Sequence, residues 1–403
     1  MCAYHAWRFG ADGKCLKIPQ STRGGTDEAQ PKACAKVYPT QAAQGIIWVW
    51  AENGPDAGIE SALIQPPLLP EYPGMKITSS TISQRDLPCG WDFAVENILD
   101  PAHVPALHRY AELAAEAPVN MRLEAPITKA GFATRFPSMI GVDEDRVEFV
   151  PPTLVAATST NSDGDKVAVM TYNVPTRPGW VRFIAYQANI KAKNSKKKTR
   201  LAIRVIPHGL QLHHIPHWLQ HMVGNYILTQ DVAILHYQEK KLESEGVDSS
   251  TYMQAGYMPT SSDTGVIATR KWITKFAAGG PPWDAGCDTR MSPKEVNRDV
   301  LLDIYEQHTK HCTTCMGALE GVEKLLVVAK ISAVASLAWM VWTGLTAGDA
   351  STSNLDSTSI LGTTRTLIPG AFAMFTSLAA IKVLELLRRS LHVIPFHTQD
   401  RNL

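Results

Sequence analysis

Charge of one sign is what this chain most lacks. Its 403 residues carry 39 Lys and Arg against 38 Asp and Glu, a formal charge of +1. A protein held to nucleic acid by neutralising phosphates needs a cationic surplus, so no nucleic-acid partner is expected. Cysteine is scarce as well, seven in all, which excludes a disulfide-stapled scaffold. There is no Walker motif, no GxGxxG and no internal repeat, so neither a phosphate-cradling loop nor a solenoid is expected. The opening residues also lack the basic and apolar regions of a secretory signal. Met1 leads directly into Cys2-Ala3-Tyr4-His5-Ala6-Trp7-Arg8-Phe9, a run of aromatics and ligand-type residues at which domains rarely begin. The expectation is a fragment or a misplaced start codon, with any targeting peptide upstream.

Apolar residues make up 45% and charged residues 19%, enough to bury a core rather than remain disordered. The length suggests two or three domains. Residues 1 to about 60 read as short strands and turns, with a strand at 46–50 bounded by Gly45 and by Asn53-Gly54-Pro55. Residues 61–75 hold Pro66, Pro67, Pro70 and Pro73 and read as a linker. From 76 to about 275 strands and helices mix. Stretches 167–172 and 181–190 are β-like, 218–242 is a long helix, and 191–200, with six basic residues, reads as a solvated hairpin loop.

The far end differs in kind. Across 325–347 the only charge is Lys330, and 23 residues at about 1.5 Å each span a bilayer core of about 30 Å. A second run, 366–387, has Lys382 and Glu385 near its end and contains Pro369 and Gly370, which membrane helices tolerate. Lys324 precedes the first run, and Arg388 and Arg389 follow the second. A membrane hairpin would put these basic ends, and the soluble body, on one side, with the polar loop 349–365 on the other. The alternative is a pair of buried core helices.

The chemistry centres on Asn97-Ile98-Leu99-Asp100-Pro101-Ala102-His103-Val104-Pro105-Ala106-Leu107-His108. Histidines five apart on a regular helix point about 140° away from each other. Pro105 removes a helical hydrogen bond and allows a break between them. Two imidazoles and a carboxylate suit iron while leaving open faces for oxygen and substrate. For the carboxylate, Asp231 shares an apolar helical face with Leu228, Leu235, Gln238 and Leu242, costly unless paired or metal-bound. A buried salt bridge or helix cap is the alternative for Asp231, and Glu239 is a rival ligand. His213, His214, His217 and His221 form a second cluster. His217 and His221, four apart, suit zinc on one helix face, though packing or substrate contact is the plainer reading. Cys312 and Cys315 form a CxxC flanked by His308 and His311. A zinc site there wants a second ligand pair that the sequence does not reveal, leaving two free thiols or a redox dithiol.

These residues resemble a known family. Cys2-x-Tyr4-His5-x-Trp7-x-Phe9, Gly13-Lys14-Cys15 and Ile18-Pro19-Gln20 look like the second half of a Rieske [2Fe–2S] motif. Asn97-x-x-Asp100-x-x-His103-x4-His108 is similar to the iron motif of Rieske non-haem oxygenases, and Asp231 in Gln230-Asp231-x-x-x-Leu235-x-x-Gln238-Glu239 sits where their carboxylate ligand lies. Cys312-Thr313-Thr314-Cys315 before two apolar spans, with Ser261 to Thr264 and Arg270-Lys271-Trp272, resembles the chloroplast branch. That branch holds pheophorbide a oxygenase, the Rieske protein of the inner-envelope translocon and protochlorophyllide-dependent relatives.

The resemblance implies an α+β fold with three domains: half of a Rieske domain plus linker over 1–75, a helix-grip, START-like iron domain over 76–318, and a transmembrane anchor over 319–403. It implies Fe(II) on His103, His108 and Asp231, with Asn97 near the metal. Asp100 would bridge to a cluster histidine of a neighbouring subunit in a homotrimer. Cys2 and His5 would be two of four [2Fe–2S] ligands. The other half, C-x-H, is absent, because no other cysteine is followed two residues later by histidine. The implied activity is monooxygenation of a tetrapyrrole with O2 and ferredoxin-derived electrons, by a membrane-anchored chloroplast protein facing the stroma. The CxxC pair, Cys312 and Cys315, would be a redox switch read by thioredoxin. The rivals are an envelope redox sensor or import component with a vestigial iron site, and a soluble hydrolase with zinc on the two His and one Asp.

Overall fold

A computed structural model describes residues 1–52, 54–68, 83–108, 119–137, 144–160, 166–190, 216–283, 297–350 and 357–393. The basic stretch 191–200, His213, His214, Cys287, Pro70 and Pro73 lie outside these residues. The chain divides into two units, Met1–Glu71 and Tyr72–Leu403.

In the first unit β1 (Arg8–Phe9) pairs antiparallel with β2 (Cys15–Lys17). β3 (Thr40–Ala43) pairs with β4 (Ile46–Val49). The turn between β3 and β4 is Gln44-Gly45, both at positive φ (53° and 78°). A two-residue hairpin needs that conformation for its twist to match the strands, and glycine supplies half of it without strain. A helix, α1 (Ala57–Leu63), overlaps the start of the expected linker. The prolines begin only at Pro66, so nothing in 57–63 opposes helical hydrogen bonding.

The second unit is built on one seven-stranded antiparallel sheet. In chain order its elements are β5 (Ser83–Leu87), α2 (Trp91–Leu99), α3 (His103–Leu107), β6 (Arg122–Leu123), β7 (Phe132–Pro137), β8 (Glu144–Val150), β9 (Leu154–Thr160), β10 (Lys166–Arg177) and β11 (Trp180–Ile190). The spatial order is β5-β11-β10-β9-β8-β7-β6. From β6 to β11 each strand pairs with the next, and β5 closes the far edge beside β11. Helices α4 (His217–Ser244), α5 (Tyr252–Ala255) and α6 (Thr264–Phe276) follow the sheet. α2 packs on β9–β11, α6 on β6 and β7, and α4 on β5.

Period-two alternation sends Val147 and Phe149 of β8 inward between half-exposed neighbours. Phe149 is fully buried against Phe132 and, edge-on at 5.0 Å, against Trp272. Burying a side chain of that size contributes about 1.5–3 kcal/mol. α2 and α6 touch at Gly265, where a Cβ would lie 2.0 Å from the Leu99 carbonyl oxygen.

Two short helices, α7 (Arg298–Leu301) and α8 (Ile304–Gln307), lead to the long helices α9 (Thr313–Ala350) and α10 (Ser357–Ser390). α9 starts twelve residues before the apolar run expected from 325, because nothing in 313–324 breaks a helix. α9 and α10 run antiparallel. Ser377 Oγ bonds Ser332 Oγ at 2.9 Å, Gly370 abuts Met340, and Leu391 packs on Leu319. Both are long and apolar enough to cross a membrane. Their apolar side chains face outward, with Val334 68% and Phe375 72% exposed. Helices at the centre of this chain's own core would bury such residues.

Candidate functional site

α2 begins at Gly90, whose N–H donates to the buried Glu239 carboxylate of α4 at 3.0 Å. Glu239, the rival ligand, is thereby spent on a helix N-terminus, where a carboxylate is favoured. α2 ends at Asp100, held extended (φ −106°, ψ 94°) by the following Pro101. The Asp100 Oδ1 accepts the Ala102 N–H at 2.9 Å, a local turn that starts α3 at His103. Pro105 lies in the first turn of α3, where N–H groups have no helical partner. The chain therefore leaves the helix at His108 (φ −98°, ψ 77°), not at Pro105 as expected. That exit turns the His108 ring back, and the two imidazole centroids come within 5.4 Å.

Asp231 meets them from the middle of α4. Its Oδ1 lies 3.2 Å from His108 Nε2 and 3.6 Å from His103 Nε2. Asp231 is 4% exposed and His108 5%. His108 Nδ1 lies 2.8 Å from Gln230 Oε1, so the ring N–H donates there and Nε2 turns a lone pair toward the Asp231 oxygen. Asp231 Oδ1 is buried with no hydrogen-bond donor. Two such groups 3.2 Å apart in a buried site call for a cation between them, either a proton or a metal ion. Burial opposes charging His108, yet contact with Asp231 outweighs it and raises the ring's pKa. A metal on bonds of about 2.1 Å at right angles spaces neighbouring ligand atoms about 3 Å apart. The three donor atoms lie within 4.8 Å of one another. They fit one ion of the two-histidine, one-carboxylate class, which leaves coordination positions open.

A cavity of about 380 Å³ opens onto His103 and Asp231, with Asn97, Asp100 and Glu96 also in its wall. Asp100 Oδ2 sits 3.7 Å from His103 Nδ1, and its carboxylate is part-exposed. Behind Glu96 is an ion network that the sequence does not reveal. Arg270 binds Glu96 and, at 2.5 Å, Asp92, with its guanidinium 3.6 Å over the Tyr252 ring. Tyr252 donates its hydroxyl to Glu96 at 2.8 Å. Burial is the largest influence on Glu96 and lifts its pKa despite Arg270. The fully buried Arg85 donates to Gln307, Thr229 and the Asn225 carbonyl. Burial lowers Arg85 to about 9. Periodicity could have marked Asp92 and Glu96 as one face of α2; nothing marked Arg85.

In the first unit the 2–7 loop closes on itself. Cys2 N–H donates to the Trp7 carbonyl and Ala6 N–H to the Cys2 carbonyl. The Tyr4 and His5 N–H groups lower the Cys2 thiol pKa, a setting suited to a sulfur that must carry charge. Cys2 and His5 are both exposed.

The CxxC takes a place that the sequence did not foretell. Cys312 and Cys315 open α9 beside His221 of α4 and His308. His217 and His311 stay exposed and outside the group.

A family model described as pheophorbide a oxygenase matches residues 149–248, which include Asp231 and His221. The chain is 30% identical over 347 residues to pheophorbide a oxygenase of Oryza sativa subsp. japonica, covering 80% of this chain and 62% of that one. It is 28% identical to protochlorophyllide-dependent translocon component 52 of Arabidopsis thaliana (82% and 64%). It is 29% identical to flavonoid 8-hydroxylase 2 of Ocimum basilicum (80% and 62%). The chain thus spans less than two thirds of the length of each of these relatives.

Proposed function

We propose, from the premise that this chain belongs to the Rieske non-haem iron oxygenase family of pheophorbide a oxygenase and its chloroplast relatives, that it is the iron-bearing part of a membrane-anchored monooxygenase acting on a tetrapyrrole. The observation that carries this is the meeting of His103, His108 and Asp231, with their ligand atoms within 4.8 Å of one another, beside a cavity. When bound there, ferrous iron would supply the activation of O2. One oxygen atom would enter the substrate and the other leave as water, consuming two electrons and two protons.

The chain's own residues would do the rest. His103, His108 and Asp231 would hold the ion, and Gln230, 2.8 Å from His108 Nδ1, would orient the ring with Nε2 toward Asp231. Asp100, part-exposed beside His103 Nδ1, would bridge to a cluster histidine of a neighbouring subunit in a trimer. Cys2 and His5 would give two of that cluster's four ligands. Reduced ferredoxin would supply the electrons. Asn97 and Glu96 line the substrate side, and the Arg270 network stiffens Glu96. α9 and α10 would cross a chloroplast membrane as a hairpin, with Lys324, Arg388 and Arg389 on the stromal side. Such an anchor suits an apolar substrate. The partial Rieske domain and the helix-grip arrangement of the sheet around α4 belong to the same proposal.

A second reading is an envelope redox-sensing or import component that uses the CxxC, favoured by the translocon relative. One experiment separates the two. The protein is assayed for iron and, with reduced ferredoxin supplied, for turnover of pheophorbide a, chlorophyllide a and a flavone, as wild type and as His103→Ala. The oxygenase reading expects one mononuclear iron and tetrapyrrole oxygenation, both lost in His103→Ala. Zinc instead of iron on the Asp231 site, or turnover of the flavone alone, overturns it.

A further inference from the structure

We propose that His221, His308, Cys312 and Cys315 form a second metal site, which holds a single zinc ion and fastens α4 to the start of α9. The second ligand pair missing from the sequence is supplied in three dimensions, by one histidine 91 residues upstream of Cys312 and another four residues before it. All four donor atoms lie within 4.8 Å of one another. His221 Nδ1 is 3.4 Å from Cys312 Sγ and 3.5 Å from Cys315 Sγ, and His308 Nε2 is 3.3 Å from Cys315 Sγ. Zinc bonds of about 2.3 Å to sulfur and 2.05 Å to nitrogen, at the tetrahedral angle, place a sulfur and a nitrogen about 3.6 Å apart. The observed edges fall within about 0.3 Å of that figure. A two-iron cluster would need its two ligand pairs held apart by the width of the cluster, so these donors suit one ion.

The supporting contacts agree. His308 Nδ1 sits against the Gln84 carbonyl, so its N–H donates there and Nε2 carries the lone pair. His221 is 7% exposed, and among the described residues the two sulfurs are the polar contacts of its ring. A buried imidazole is costly on those terms, and an ion explains why one is there. Leu319, Leu391, Trp218 and Met316 pack around the cysteines. With four protein ligands no position stays open, which is the mark of a structural site. Binding releases the two thiol protons to solvent. The site lies ten residues from Asp231 on α4, about 15 Å along the helix. It is independent of the iron reading.

The test is metal analysis of the full chain purified in detergent under reducing conditions. One zinc per chain is expected, kept in Asp231→Ala, which loses only its iron, and lost at least tenfold in Cys312→Ser/Cys315→Ser. Cobalt in place of zinc should give the strong visible absorption of a tetrahedral thiolate–imidazole site, absent in His308→Ala. Because these variants can fail to fold, the wild type is also titrated with a mercurial thiol reagent. The exposed Cys2 and Cys34 should react first without freeing metal, and zinc should then be released into a colorimetric chelator in step with the modification of two further thiols. Cys312 and Cys315 that react as readily as the exposed Cys2 and Cys34, with no zinc uptake by the reduced wild type, overturn the proposal. So do zinc retained by the double serine variant, or iron at this site retained by Asp231→Ala.

Discussion

Gln230 does for His108 what the Gln84 carbonyl does for His308: each accepts one ring N–H and so turns the other nitrogen toward its site. Replacing Gln230 by Leu should lower iron affinity about 10–100-fold, the usual cost of losing such a contact, while Asp231→Ala should abolish iron binding; an iron titration reads both. Asp231 stands out in the sequence because an acid on an apolar helical face must be compensated. Gln230 does not, because it is about 100° around α4 and reads as surface. Glu239 looks the same as Asp231 in sequence, on the same long helix, and only the approach of Gly90 shows it to be a cap. Arg270→Met should cost about 3–5 kcal/mol by leaving Glu96 and Asp92 without their buried cation, as measured by denaturant unfolding.

The elements set where these residues can meet. α2 lies against α6 only because position 265 has no side chain, so Gly265→Ala should destabilise by about 1–3 kcal/mol through overpacking. It should also weaken iron binding, since it pushes on the Leu99 end of α2, just before Asp100 and His103. Before α5, the side-chain hydroxyl and N–H of Ser250 and the N–H of Thr251 hold Asp248 down to about 2, from an ordinary value of 3.8. A lowered carboxylate stabilises above its unfolded pKa and loses that contribution as pH falls through the folded one. The stability difference between wild type and Asp248→Ala should therefore be constant above pH 3.8 and disappear toward pH 2, a trend that thermal melts across that range would follow. Strands 167–172 and 181–190 were legible as β-like stretches, and 218–242 as a long helix within α4. The bend between the two histidines was legible in outcome but not in place: proline marks a helix break by sequence, yet in a first turn it is harmless.

At the largest scale, the second unit joins a sheet-and-helix body to two outward-apolar helices. Val334→Lys with Phe375→Lys should release the chain from membranes to alkaline carbonate extraction, since each charge at mid-span costs about 2.5–3.5 kcal/mol on insertion; retention of the doubly charged variant would count against a spanning hairpin. The end of α10 is also tied to the body. Thr309 Oγ1 donates to the Leu391 carbonyl at 2.7 Å, and His392 stacks on Tyr305. What the sequence determined by itself were features with a local cause: the β-like stretches, the two apolar runs, and an acid on an apolar face. Each follows from a residue's own chemistry and its near neighbours. What only the tertiary structure decided were the partnerships: Gln230 with His108, Glu239 with Gly90, Arg270 with Glu96, and His221 and His308 with the CxxC. Most of these join residues some ninety or more positions apart, and His308 lies close to the CxxC in sequence yet gains its fourth partner only from α4. No local pattern encodes such a meeting, because it exists only once the hydrophobic core has fixed how α2, α4 and the start of α9 pack.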